Sequence, residues 1–238
     1  MSRPKSIYQF STLQALMAGY YYPVCSVGEL LAHGDFGIGT FEGIDGELIA
    51  LDGVCYRAKS DGNVVPSSAE ENVSFASIVS FQGEYQCDLN DGYALEDLKS
   101  LLDNKISELG RNSFFVCRID GIFPKVNVRS AVRQEKPYRE LLETMKTAKR
   151  DFYYNDEKGT IVAFYLPEYM KDINAAGWHF HIISEDRKRG GHVTDLEMHS
   201  GHLLLDKVSC ISMKIPDDAV FDNLQLLNRG EEVVALEQ

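Results

Sequence analysis

The stretch Gly177-Trp178-His179-Phe180-His181-Ile182-Ile183, the polar run Ser184-Glu185-Asp186-Arg187-Lys188-Arg189-Gly190-Gly191 and the following His192-Val193 carry the reading of the fold. In a strand, side chains two apart share a face, so His179 and His181 project together while Trp178, Phe180 and Ile182 face the other way. The charged turn, ending in paired glycines, can reverse the chain and return His192 beside His181. Working outward, further strands are predicted at residues 46–54, 74–81, 113–119, 160–166, 202–205 and 208–215. These runs are rich in Val, Ile, Phe, Leu and Tyr and bounded by Gly, Asp, Asn or Pro. Helical spacing is confined to Thr12–Ala18, Leu95–Leu109 and Tyr138–Lys149. Strands do not alternate regularly with helices. The expectation is therefore an α+β fold of two tightly packed sheet-based halves, with mixed and antiparallel sheets under a few covering helices, not a doubly wound parallel sheet. The halves, residues 1–150 and 151–238, are expected to meet near residue 150.

With 238 residues the chain can bury a sizeable core, and its 44% hydrophobic and 25% charged content suits a globular protein. A formal net charge of -12 repels polyanions, which argues against nucleic acid and anionic membrane surfaces as partners. A small anionic substrate stays compatible if the site carries its own positive charge. The N-terminal segment lacks the apolar region and cleavage site of a secretory signal, and no apolar run reaches membrane-spanning length. Cys25, Cys55, Cys87, Cys117 and Cys210 are odd in number and scattered, which predicts reduced thiols in a cytoplasmic protein, neither a disulfide framework nor a thiolate metal site.

Neutral imidazole suits zinc and neighbouring transition ions, and a catalytic zinc takes three protein ligands with a position left open. His179, His181 and His192 are the candidate set. His199 and His202 compete, but lie beyond Asp195 and Glu197 in what reads as another turn and strand, so they are expected nearby or at the surface; His33 reads as a loop residue. A lone His-x-His is equally compatible with structural or surface histidines. The glycines from Gly34 to Gly46 superficially suggest nucleotide binding, but Gly37-Ile38-Gly39-Thr40-Phe41-Glu42 lacks the third glycine and a following helix, so hairpin turns are expected there.

Several segments, in order and spacing, resemble the acetolactate decarboxylases. They are Tyr8-Gln9-Phe10-Ser11-Thr12, Gly28-Glu29-Leu30, residues 34–41, Asp45-Gly46-Glu47-Leu48-Ile49, Leu51-Asp52-Gly53, residues 121–129, residues 134–138, Gly177-Trp178-His179-Phe180-His181 and Gly190-Gly191-His192-Val193. The resemblance implies a carboxy-lyase converting acetolactate to acetoin and carbon dioxide at a three-histidine zinc site, in a dimer of two-domain subunits. It makes His179, His181 and His192 the metal ligands, Glu47 and Arg129 the catalytic and substrate-binding pair, and Thr40 a further residue lining the pocket. An acidic residue near the C-terminus that reaches back to the metal in the family corresponds to Glu237, with Glu231 and Glu232 nearby.

The chemistry expected from that resemblance is simple. Loss of carbon dioxide leaves an electron pair that the adjacent ketone accepts as an enediolate, provided its oxygen is stabilised; zinc or another divalent transition ion on the ketone and hydroxyl oxygens would do this. Arg129 would hold the carboxylate or oxyanion and Glu47 would handle the proton. Two competing readings use the same features differently: a metal-dependent hydrolase, and a non-catalytic small-molecule binding protein.

Overall fold

The protein is described by a computed structural model over residues 5–226. In chain order the elements are β1 Ser6–Phe10, α1 Leu13–Met17, β2 Cys25–Ser26, α2 Val27–Leu31, β3 Phe36–Phe41, β4 Glu47–Leu51, β5 Val54–Ala58, β6 Val64–Pro66, β7 Asn72–Val79, β8 Tyr85–Leu89, β9 Tyr93–Ala94, α3 Leu95–Leu109, β10 Phe114–Ala131, α4 Leu141–Ala148, β11 Lys149–Leu166, β12 Gly177–Ser184, β13 Gly190–Met198, β14 Ser200–Val208, β15 Cys210–Lys214 and α5 Ala219–Asp222. An eight-stranded sheet runs β15-β1-β7-β3-β4-β5-β6, with β2 also on β7; a seven-stranded sheet runs β8-β14-β10-β11-β12-β13-β9. β1 and β15 pair in parallel and their sheet is otherwise antiparallel. The expected α+β class, with mixed and antiparallel sheets and a few covering helices, is what is found.

The inner faces of the two sheets meet. Ile7, Phe36, Ile38, Ile49 and Val79 of the first sheet pack against Val116, Val162, Phe164, Ile183 and Val208 of the second. Leu98, Leu102 and Ile106 of α3 fall at helical spacing and bury against Phe180 and Ile182 on the outer face of the second sheet. Ala15, Val27 and Leu30 of α1 and α2 cover the outer face of the first, over Leu48, Ala50 and Ala76. Period-two alternation in β12 thus sends Phe180 and Ile182 to the helix side and leaves His179 and His181 on the side facing the first sheet.

Two departures from the predicted elements have clear causes. β10 extends through Gly121 and Pro124, although both read as strand breakers. Its first half pairs with β14 up to Ile122 and its second half with β13 from Lys125, so Pro124 sits where the strand changes neighbours and its missing N–H leaves no ladder bond unmade. The second departure is at Gly37 and Gly39, which lie inside β3 and not in turns. A Cβ on Gly39 would stand 2.2 Å from the Phe75 carbonyl oxygen, so the glycine permits close strand approach.

The chain passes from one sheet to the other at residues 80–84, whereas Arg150 lies within β11, paired to Ser130 across the long β10–β11 hairpin. Fully buried Asp206 secures the changeover, accepting the Gln82 and Glu84 amides at 2.7 and 2.9 Å and pairing with Lys5 Nζ at 2.8 Å. Asp206→Ala leaves two amides unpaired and the buried Lys5 ammonium with only the half-exposed Glu84 carboxylate, 3.1 Å away, and is expected to lower unfolding free energy by about 3 kcal/mol in urea titrations.

Candidate metal centre

Strand register assembles the site. His181 lies directly opposite His192 across β12 and β13, and His192 lies opposite Arg129 across β13 and β10. Four strands are involved because β10 pairs with β13 as well as β11, so β10, β11, β12 and β13 close into a ring. Gly191 makes the closure possible. Its φ is +151°, and a Cβ there would meet the Arg129 carbonyl oxygen at 2.8 Å.

Among the described residues, His179, His181 and His192 bring one ring nitrogen each within 4.8 Å of the others. His179 Nε2 is 3.2 Å from His181 Nε2 and 2.8 Å from His192 Nδ1. Ligand atoms about 2.0–2.1 Å from a tetrahedral zinc are themselves roughly 3.3 Å apart, so the two separations from His179 are close to those of zinc ligands, and all three nitrogens lie within reach of one ion. The Leu48 carbonyl can only accept; at 3.0 Å from His181 Nδ1 it holds the hydrogen there and leaves Nε2 presenting its lone pair. That carbonyl belongs to the residue after Glu47, so β4 supplies both the carboxylate and the group that orients a candidate ligand. Arg129 Nη2 lies 3.0 Å from His192 Nε2, and a guanidinium only donates. The hydrogen of a neutral His192 therefore sits on Nδ1, and a cation taking this ring displaces Arg129 if bound at Nε2 or the His179 contact if bound at Nδ1.

All three imidazoles are held neutral. Burial depresses His179 to a pKa of about 3, with the Arg129 charge adding to the effect. Burial likewise lowers His181 and His192 well below the ordinary value, helped for His181 mainly by His179 and for His192 mainly by Arg129. Neutral imidazole is the form that ligates a metal. A folded-state pKa depressed from about 6.5 gives stability that is present above pH 6.5 and lost as pH falls toward 3, because the unfolded chain takes up protons that the folded chain refuses. For His179 alone the loss between pH 7 and pH 5 is expected to be about 2 kcal/mol. Urea midpoints of the metal-free protein should therefore fall more steeply over that interval than those of His179→Asn; equal slopes would contradict the assignment.

The remaining candidates converge on the same cavity. Glu47 Oε2 is 3.6 Å from His181 Nε2. Thr40, Glu47, Arg129 and the three histidines all line one pocket. Thr40 faces Glu47 across β3 and β4, and its hydroxyl donates to the Gly46 carbonyl at 2.7 Å. Asp45 accepts from Arg57 at 2.7 Å. The turn that presents Glu47 is thus fixed from both sides. His199 is exposed in the bend between β13 and β14, His202 pairs with Asp88 at 2.8 Å, and the His33 ring stacks on Tyr8 at 3.6 Å. None of these three joins the cluster. Glu237, Glu231 and Glu232 lie outside the described residues.

A family model described as "Alpha-acetolactate decarboxylase" matches residues 7–228. The chain belongs to the alpha-acetolactate decarboxylase family. Its relatives there include proteins called alpha-acetolactate decarboxylase from Methanosarcina mazei, 41% identical over 92% of this chain and 75% of that one, and from Bacillus subtilis strain 168, 36% identical over 93% and 86%. The crystal structure of alpha-acetolactate decarboxylase from Bacillus subtilis strain 168 superposes with a TM-score of 0.92 at 35% identity, covering 98% of this chain and 97% of that one. A Staphylococcus aureus protein of unknown function, described as similar to alpha-acetolactate decarboxylase, gives 0.92 at 29% identity over 98% and 100%. Members of this family are carboxy-lyases, and the expected resemblance and enzyme class both hold. Among the described residues no helix is long and apolar enough to cross a membrane.

Sequence reasoning missed part of the pocket. A backbone carbonyl such as Leu48 has no residue signature. Asn174, also in the lining, donates to Gln9 Oε1 at 2.9 Å and Ser77 Oγ at 3.0 Å. Its Oδ1 accepts from the Ala175 amide at 2.7 Å, and Gln9 Nε2 donates to the Ser11 and Ile173 carbonyls. This buried polar chain gives Gln9, quoted above only as part of a matching segment, a structural role.

Proposed function

We propose that this chain decarboxylates acetolactate to acetoin and carbon dioxide, using a divalent ion, zinc by preference, held by His179, His181 and His192. The observation that carries the reading is the convergence, among the described residues, of three neutral imidazoles, the Glu47 carboxylate and the Arg129 guanidinium on a single pocket, in a chain of this family. The donor set fits zinc: three nitrogen ligands, one oriented through the Leu48 carbonyl, suit a catalytic site with a position left open. When bound, the ion would supply Lewis acidity and a template for the ketone and hydroxyl oxygens of the substrate.

The chain's own groups do the rest. Arg129, only 7% exposed, meets an anionic substrate with a fixed positive charge that a protein of net charge -12 must supply locally. Its planar fork binds the carboxylate, or the oxyanion as charge moves to the ketone. The bond between the carboxylate carbon and the carbinol carbon breaks, its electron pair becoming the enediolate carbon–carbon double bond. Glu47 then gives a proton to the carbinol carbon from one side, which yields a single acetoin enantiomer. Turnover consumes one proton, which solvent returns to Glu47. Buried surroundings keep the charge of Arg129 effective by limiting water.

The test is product identity. Racemic acetolactate given to metal-loaded protein should release acetoin and carbon dioxide in equal amounts, with one acetoin enantiomer in excess. Cleavage of an ester or amide panel without carbon dioxide would favour the hydrolase; ligand-dependent melting without turnover would favour a binding protein.

A further inference from the structure

The cavity that holds the polar cluster does not end with it. Its remaining walls include Leu13, Leu16 and Met17 of α1, Phe75 of β7, and Leu141 and Met145 of α4. Leu141 and Met145 are one helical turn apart on α4, so they share a face, yet both are only half-buried, whereas Thr144 and Ala148 on the adjoining face are buried. An apolar face left partly uncovered over a cavity is a surface on which further apolar atoms can be buried. Leu13, Leu16 and Met17 pack with Phe75 in the same cluster, against which Leu141 and Met145 rest.

The substrate proposed above uses little of this wall. Its carboxylate, ketone and hydroxyl are drawn to Arg129 and the histidine cluster, and only two methyl groups remain for six large apolar side chains. We infer that the α1–α4 wall is an alkyl subsite, and that Met145 and Leu141 set the length of alkyl chain accepted on 2-hydroxy-3-keto acids at this site. The inference rests on the decarboxylase reading and deepens it. Met145 suits the task because its unbranched thioether side chain adapts to a variable chain end. Each methylene moved from water onto such a wall strengthens binding about fourfold, so homologues with three- or four-carbon chains are held at least as well as the methyl compound until the wall is filled.

Two series of homologues distinguish which substituent enters: one lengthened at the carbinol carbon, one at the acyl group. In one of them kcat/KM for the propyl compound should stay within about tenfold of the methyl compound. Filling the wall with Met145→Phe, or separately with Leu141→Phe, should lower the propyl-to-methyl ratio by about tenfold or more, and Met145→Ala should raise the butyl-to-methyl ratio. Binding gives an independent reading. Unreactive 2,3-dihydroxy acids, lengthened at the same carbon as the accepted series, should raise the melting temperature of zinc-loaded protein progressively with chain length, and Met145→Phe should abolish the progression. Ratios and melting shifts that are unchanged in all three variants, while the methyl compound still turns over, would overturn the subsite and leave the decarboxylase reading standing. Failure of metal-loaded wild type to release carbon dioxide from the methyl compound would overturn both.

Discussion

His179→Ala is expected to lose bound metal and turnover together, while the protein stays folded. If the roughly 10–16 kcal/mol of four-ligand structural zinc sites is shared evenly, each ligand contributes about 3 kcal/mol, so Kd should rise at least about a hundredfold. Folding should survive because His179 is half-buried against the cavity, whereas the strand that carries it is held by Phe180 and Ile182 on its other face. Metal content after dialysis, circular dichroism and carbon dioxide release measured on one preparation check the expectation. Full metal occupancy with full activity would remove His179 from the ligand set.

Glu47→Gln and Arg129→Ala are expected to do the opposite, keeping metal and losing turnover. Loss of a proton-transferring carboxylate typically costs about 10²–10⁴ in rate, and loss of a donor aimed at developing negative charge about 10²–10³ in kcat. For Arg129 the direction of the metal effect can be worked out. Its positive charge depresses all three imidazoles and opposes a second cation, so removing it should leave zinc affinity equal or tighter. A variant that lost zinc in step with activity would instead make Arg129 a support for His192, from which its guanidinium is 3.0 Å away. The two sets of variants therefore separate holding the ion from using the substrate.

How much of this was legible in the chain depends on the range of the interaction. α3 occupies Leu95–Leu109 as its apolar spacing predicts, because a helix that buries one stripe records its period locally. β12 and the return of His192 opposite His181 were likewise local, set by period-two alternation and a glycine-ended turn. β3 was not, since Gly37 and Gly39 serve a neighbouring strand distant in sequence. The second half of β10 was hidden by Pro124, whose harmlessness depends on where β14 ends and β13 begins. The meeting of Glu47 with His181 is a contact between the two sheets, and nothing near residue 47 in the chain announces it. There the family resemblance supplied the pairing, and the placement of β4 against β12 gives it a physical basis. The apolar half of the pocket was invisible for a related reason: Leu13, Leu16 and Met145 look like ordinary helix-core residues until both helices are placed over one cavity.

The most direct test of the central claim is carbon dioxide release from acetolactate by one protein preparation as isolated, after chelation, and after return of one equivalent of zinc. The account predicts turnover that disappears on chelation and returns with the stoichiometric ion. Undiminished turnover in protein shown to be metal-free, or no turnover in fully metal-loaded protein, would contradict it.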